Sequence, residues 1–154
     1  MKEPEEIIEA QLVELLSSAV PWMDSVGALS PVPEGEQKQS PDTYISVFVD
    51  LASQNIDWRG ASVPCTYTAR VTVRYAEADD ATGARFRDAC RATRKALFAL
   101  TGDGCEGLDG EGFCCDQFLL DSTETALYRD AEVGGSSKTY TATITGRYSH
   151  KESR

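Results

Sequence analysis

The stretch Cys65-Thr-Tyr-Thr-Ala-Arg-Val-Thr-Val-Arg-Tyr-Ala76 alternates almost without a break. Tyr67, Ala69, Val71, Val73 and Tyr75 share one side, and Thr66, Thr68, Arg70, Thr72 and Arg74 share the other. Successive side chains of a strand point to opposite faces, so this is a strand with one buried and one wet face. The pattern recurs in Lys138 to Tyr148, with Tyr140, Ala142, Ile144 and Tyr148 opposed to Thr139, Thr141, Thr143, Thr145 and Arg147. A third copy spans 43 to 52, where Ile45, Val47, Val49 and Leu51 oppose Tyr44, Ser46, Phe48 and Asp50.

Around these strands the period changes. In 4 to 19, Ile8, Leu12, Leu15, Leu16 and Ala19 recur at helical steps, Pro4 sits in the first turn and Pro21 ends the run. In 80 to 100, Phe86, Ala89, Cys90, Thr93, Leu97 and Leu100 form an inward stripe, and Arg85, Arg87, Asp88, Arg91, Arg94 and Lys95 cover the rest. Asp79 and Asp80 suit its start and Gly102 its stop. Shorter strands are expected at Phe113 to Leu120 and Ala126 to Glu132, with Gly134-Gly135 as the turn of a closing hairpin. Loops are expected at 30–41, 53–64 and 101–112, the last glycine-rich, acidic and mobile, and 149–154 is a polar, frayed tail. The order helix, strand, strand, helix, strand, strand, strand predicts one α+β domain. Its antiparallel or mixed sheet has about five strands, with two helices packed on one face.

Composition narrows function. The chain has 154 residues, ample for one self-sufficient core. No apolar run reaches the ~20 residues that span a membrane, and Met1 to Glu6 is acidic where a secretory leader is basic. A cytoplasmic chain without membrane attachment is expected. A net charge of −10 with dispersed cations disfavours nucleic-acid binding. Five cysteines, an odd number, argue for free thiols instead of a disulfide framework.

Catalytic and metal patterns are missing from the sequence. Cys105, Cys114 and Cys115 lack ligand spacing, and adjacent strand residues Cys114 and Cys115 point to opposite faces. His150, the single histidine, lies in the tail, so no cysteine or serine nucleophile has a ready base. Asp103, Glu106, Asp109 and Glu111 lack the order of a calcium loop and read as a solvated acidic loop. No phosphate-cradling glycine motif precedes a helix. No catalytic residue, cofactor or metal is therefore assigned. Trp58, between Asp57 and Arg59, has two readings: an interface anchor, or a ring folded back over the sheet edge. The cationic side of the second helix reads first as a solvated face, and second as a dock for an acidic partner.

The layout resembles the tail terminator or tail completion (neck) proteins of long-tailed bacteriophages and prophages. The residues that carry this are the leading helix ending near Pro21 and the strand Tyr44-Ile-Ser-Val-Phe-Val-Asp. The loop Asn55-Ile-Asp-Trp-Arg-Gly then leads into Tyr67-Thr-Ala-Arg-Val-Thr-Val-Arg-Tyr, and the hairpin closes on Tyr140-Thr-Ala-Thr-Ile-Thr-Gly-Arg-Tyr. The resemblance implies a non-catalytic structural protein that forms a ring, commonly a hexamer. Such a ring caps the tail tube and meets the head-tail connector, so its partners are itself, the tube protein and the connector. It implies assembly in the bacterial host cytoplasm and residence in the virion tail. Contacts are expected at Asp57, Trp58, Arg59, Gly134 and Gly135, and the 101–112 segment reads as an insertion. A small cytosolic enzyme using Cys or carboxylate chemistry, and an unrelated binding module, are the alternatives.

Overall fold

The computed structural model describes residues 4–23, 26–28, 43–54, 62–76, 83–110, 112–129 and 134–149. In chain order these form α1 (Pro4–Ala19), β1 (Val26–Ala28), β2 (Tyr44–Gln54), β3 (Ser62–Ala76) and α2 (Ala84–Phe98). A 3-10 helix (Gly102–Leu108), β4 (Phe113–Arg129) and β5 (Gly134–Ser149) follow. The five strands make one sheet in the order β1-β2-β3-β5-β4. β1 runs parallel to β2, and the other neighbours are antiparallel. The sheet is therefore mixed, one of the two arrangements expected of this α+β fold.

The inward faces are those read from the sequence. Ile45, Val47 and Val49 of β2, Tyr67 to Tyr75 at every second position of β3, and Tyr140, Ala142 and Ile144 of β5 are buried. They meet Ile8, Leu12 and Leu16 of α1 and Ala89, Cys90 and Leu97 of α2 in a single core. Tyr67 and Phe113 add an edge-to-face ring contact, centroids 5.9 Å apart at 82°, worth ~1 kcal/mol beyond the area it buries. Glu9 of α1 accepts a hydrogen bond from the backbone N–H of Val49 at 3.1 Å, fastening the helix to β2.

Several expectations are corrected. Phe113 to Leu120 and Ala126 to Glu132 are not two strands: Phe113–Arg129 is one. Bulges between Cys115 and Gln117 and between Leu120 and Ser122 shift its phase, so the alternation looks interrupted. The count of five is restored by the three-residue β1, too short to show a period. β3 begins before Pro64, not after it. Among the described residues β3 pairs there with β5 alone, because the β2 ladder ends at Gln54 opposite Cys65, and a strand with one unpaired side tolerates proline. Leu51 is exposed, beside a bulge between Leu51 and Ser53. Gly134 and Gly135 are not the turn itself; they are the first two residues of β5, opposite Arg129 and Tyr128.

The expected 101–112 loop is largely ordered into the 3-10 helix, with Cys105 and Leu108 buried. Gly102, at φ +66°, reverses the chain after α2. Asp109 is not merely solvated. Its carboxylate accepts the backbone N–H of Cys115 at 2.6 Å, and its carbonyl accepts from Gln11 Nε2 at 3.3 Å. The segment thus ties β4 to α1. α2 opens at Gly83, φ +77°; Asp79 and Asp80 lie outside the described residues, as do the 30–41 loop and His150.

Candidate interaction surfaces

Among the described residues the helices cover one side of the sheet, and the other is a broad hydroxyl-rich surface. In register across β3 and β5 stand Thr66 with Thr145, Thr68 with Thr143, Arg70 with Thr141, and Thr72 with Thr139. Thr72 and Thr139 share a hydrogen bond between their hydroxyls at 3.1 Å. Arg74 lies over the ring of Tyr44, 5.9 Å from its centroid. At the β4 edge Arg147 grips Asp116 through Nε and Nη2, both at 3.1 Å, and Thr143 donates to Asp121. Asp116 and Asp121 fall at the two bulges, so the edge strand presents kinks and carboxylates where a flat edge would invite pairing.

A second surface lies on α2. Its outer side carries the cations seen in the sequence, and Arg91 pairs with Asp88 one turn earlier at 3.3 Å. Toward the C-terminal end, Arg91, Arg94, Lys95, Phe98 and Ala99 line a shallow depression of about 510 Å³. Phe98 is 57% exposed there. The stripe reading marked the cations but passed over Phe98. It directly follows the inward Leu97 and so points off the buried stripe, which is the signal that could have found it.

Asp57, Trp58 and Arg59 lie outside the described residues. Gly134 and Gly135 sit at the opening rungs of the β4–β5 ladder.

The thiols are dispersed in role. Cys114 is exposed, while Cys65, Cys90, Cys105 and Cys115 are buried. Cys114 and Cys115 face opposite sides, as the alternation implied. The Cys115 thiol donates to the Gln117 carbonyl, and that of Cys105 to the Cys115 carbonyl, both at 3.6 Å. Burial, then the neighbouring Cys105 thiol, pushes Cys115 up to about 12. Burial also raises Cys65 and Cys90. A thiol attacks as its thiolate, so these three are held in the unreactive form at neutral pH. Among the described residues no group of three or more His, Cys, Asp or Glu is placed to hold a metal ion. No described helix is long and apolar enough to cross a membrane.

No protein-family model matches the chain, and no curated protein matches it. Among solved structures it is similar to a chain of the "Virion of native gene transfer agent (GTA) particle". That chain is 19% identical, with 90% of this chain and 94% of the other covered and a TM-score of 0.49.

Proposed function

We propose that the chain is a non-catalytic structural subunit of a phage or prophage tail. In this reading it forms a ring, commonly of six copies, that caps the tail tube and offers its head side to the connector. One observation carries the reading: a sheet of unusually long strands with the described helices all on one side. β3, β4 and β5 run for 15, 17 and 16 residues. At ~3.3 Å per residue these are about 50 Å long, twice the ~24 Å of a 16-residue helix. Strands of ordinary domains hold ~3–10 residues. A sheet this tall, with an open face of hydroxyls on which Phe48 and Leu119 stand exposed, suits a subunit wrapped round an axis. Its neighbours then supply the burial that a third layer would supply in a monomer. The layout resemblance across α1, β2, β3 and the closing β5 points the same way.

The raised thiols of Cys65, Cys90 and Cys115 weigh against any of these three as a nucleophile, which needs the opposite shift. The test is the mass of the pure protein across a concentration series, with electron microscopy of the most concentrated sample. Closed rings of uniform size are expected. Monomers at every concentration, with no ring in the images, would sink the reading. Trp58→Ala is expected to weaken ring formation with little change in melting temperature. Equal loss of both returns Trp58 to the core.

A further inference from the structure

We propose that the basic end of α2 is one half of a contact between copies of this chain. The depression lined by Arg91, Arg94, Lys95, Phe98 and Ala99 receives a carboxylate-rich surface of a second copy. This rests on the ring-forming reading above and names one of the two surfaces such a ring would use.

The argument begins with charge. α2 holds Arg85, Arg87, Arg91, Arg94 and Lys95 against a single carboxylate, Asp88, in a chain whose net charge is −10. Cations in the last turn of a helix are favoured by its dipole, which accounts for part of this. It does not account for Phe98, an aromatic ring 57% exposed among them. Arg and aromatic side chains together, around a depression, are the composition of an interface anchor and not of a plain solvated face. Among the described residues Arg94 and Lys95 have no carboxylate partner within ion-pair distance.

Charge also selects the occupant. Two copies meeting α2 to α2 would set cations against cations, so the contact is not symmetric. The acid excess lies elsewhere on the same molecule: Glu6 and Glu14 are exposed on α1, and Glu106 on the 3-10 helix. The basic patch of one copy against such carboxylates of the next is a heterologous contact, the kind that closes into a ring or runs on as a filament. A free polyanion is the poorer occupant, because the whole chain repels it.

The test compares wild type with Arg94→Glu/Lys95→Glu and with Phe98→Ser by sedimentation over a concentration series. All three side chains are on the surface, so circular dichroism melts are expected to coincide. Both variants are expected to associate at least ~10-fold more weakly, and added salt to weaken the wild type toward them. The double variant keeps its acidic surface. Mixed with wild type it is expected to cap growing assemblies and lower their mean mass, which a symmetric contact would not allow. Variants that assemble like wild type overturn this inference and leave the ring reading standing. A wild type that stays monomeric overturns both. Binding of a 20-base-pair DNA duplex that the double variant loses, with assembly unchanged, assigns the depression to phosphate and overturns the proposal.

Discussion

The phenol of Tyr140 on β5 donates a hydrogen bond to the main-chain carbonyl of Cys90 on α2, 2.9 Å away. Both groups are buried, so this bond fixes the height at which α2 lies on the sheet. Tyr140→Phe removes the donor and leaves the ring in place. The expected loss is ~1 kcal/mol, the net worth of a neutral hydrogen bond. Urea unfolding checks it; no change beyond error would mean the bond is not made in solution.

Thr93 faces the core from α2 with no exposed surface, and among the described residues its hydroxyl has no hydrogen-bond partner. Valine has the same shape without the hydroxyl. Thr93→Val is expected to stabilise by ~1 kcal/mol, the cost of burying an unsatisfied hydroxyl. A lower denaturation midpoint for the variant would show that the hydroxyl is satisfied.

Gly146 on β5 is opposite Cys115. A Cβ there would meet the Phe113 ring at 2.7 Å and the Cys114 carbonyl at 2.5 Å. Neither the backbone nor a ring pinned against Tyr67 can give way cheaply. Gly146→Ala is expected to cost ~1–3 kcal/mol as an overpacking change. A melting temperature equal to that of wild type would argue against this packing.

Exposure orders the thiols. Under native conditions iodoacetamide is expected to modify Cys114 first, with the four buried thiols labelled only on unfolding. Peptide mass mapping reads the order. Early labelling of Cys115 or Cys90 would contradict the burial of β4 or α2.

Alkaline pH tests the same core. Cys115, pushed up to about 12 from an ordinary 9.0, keeps its proton in the native state where the unfolded chain releases it. Tyr67 and Tyr140 are raised as well, by burial first. Stability is therefore full below about pH 9 and falls as pH rises toward 12, since the unfolded state binds fewer protons there. Melting temperature against pH is expected to decline across that window, less steeply for Cys115→Ala. A flat profile to pH 11 would show that these groups are solvated.

β3, β5 and most of β2 were legible because each keeps an unbroken two-residue period against one core. α2 was legible for the same reason at helical period. β4 was not: Asp116 and Asp121 at its bulges each throw the alternation out of phase, so one strand read as two. β1 is too short to have a period at all. The 3-10 helix was hidden by its glycines and acids, which resemble a loop until Cys105, Leu108 and Asp109 are seen to face inward or bond to β4. On the candidate surface, the arginines were visible by count. Phe98 was hidden by its apolar neighbour Leu97, since periodicity marks what is buried and is silent on a ring that is not.

The strand order carries a consequence for how the molecule is made. β5, the last described strand, lies between β3 and β4. While the chain is being synthesised, β3 has β2 on one side and nothing to complete the other, and β4 has no neighbour at all. Some sixty residues separate β3 from its second partner, so that side closes late and at the entropic cost of a long loop. Until β5 docks, a nascent chain exposes one border of β3 and both of β4, the hazard that invites association between unfinished copies. The kinks at Asp116 and Asp121 lower that risk along β4, whose borders stay bare until the last described strand arrives.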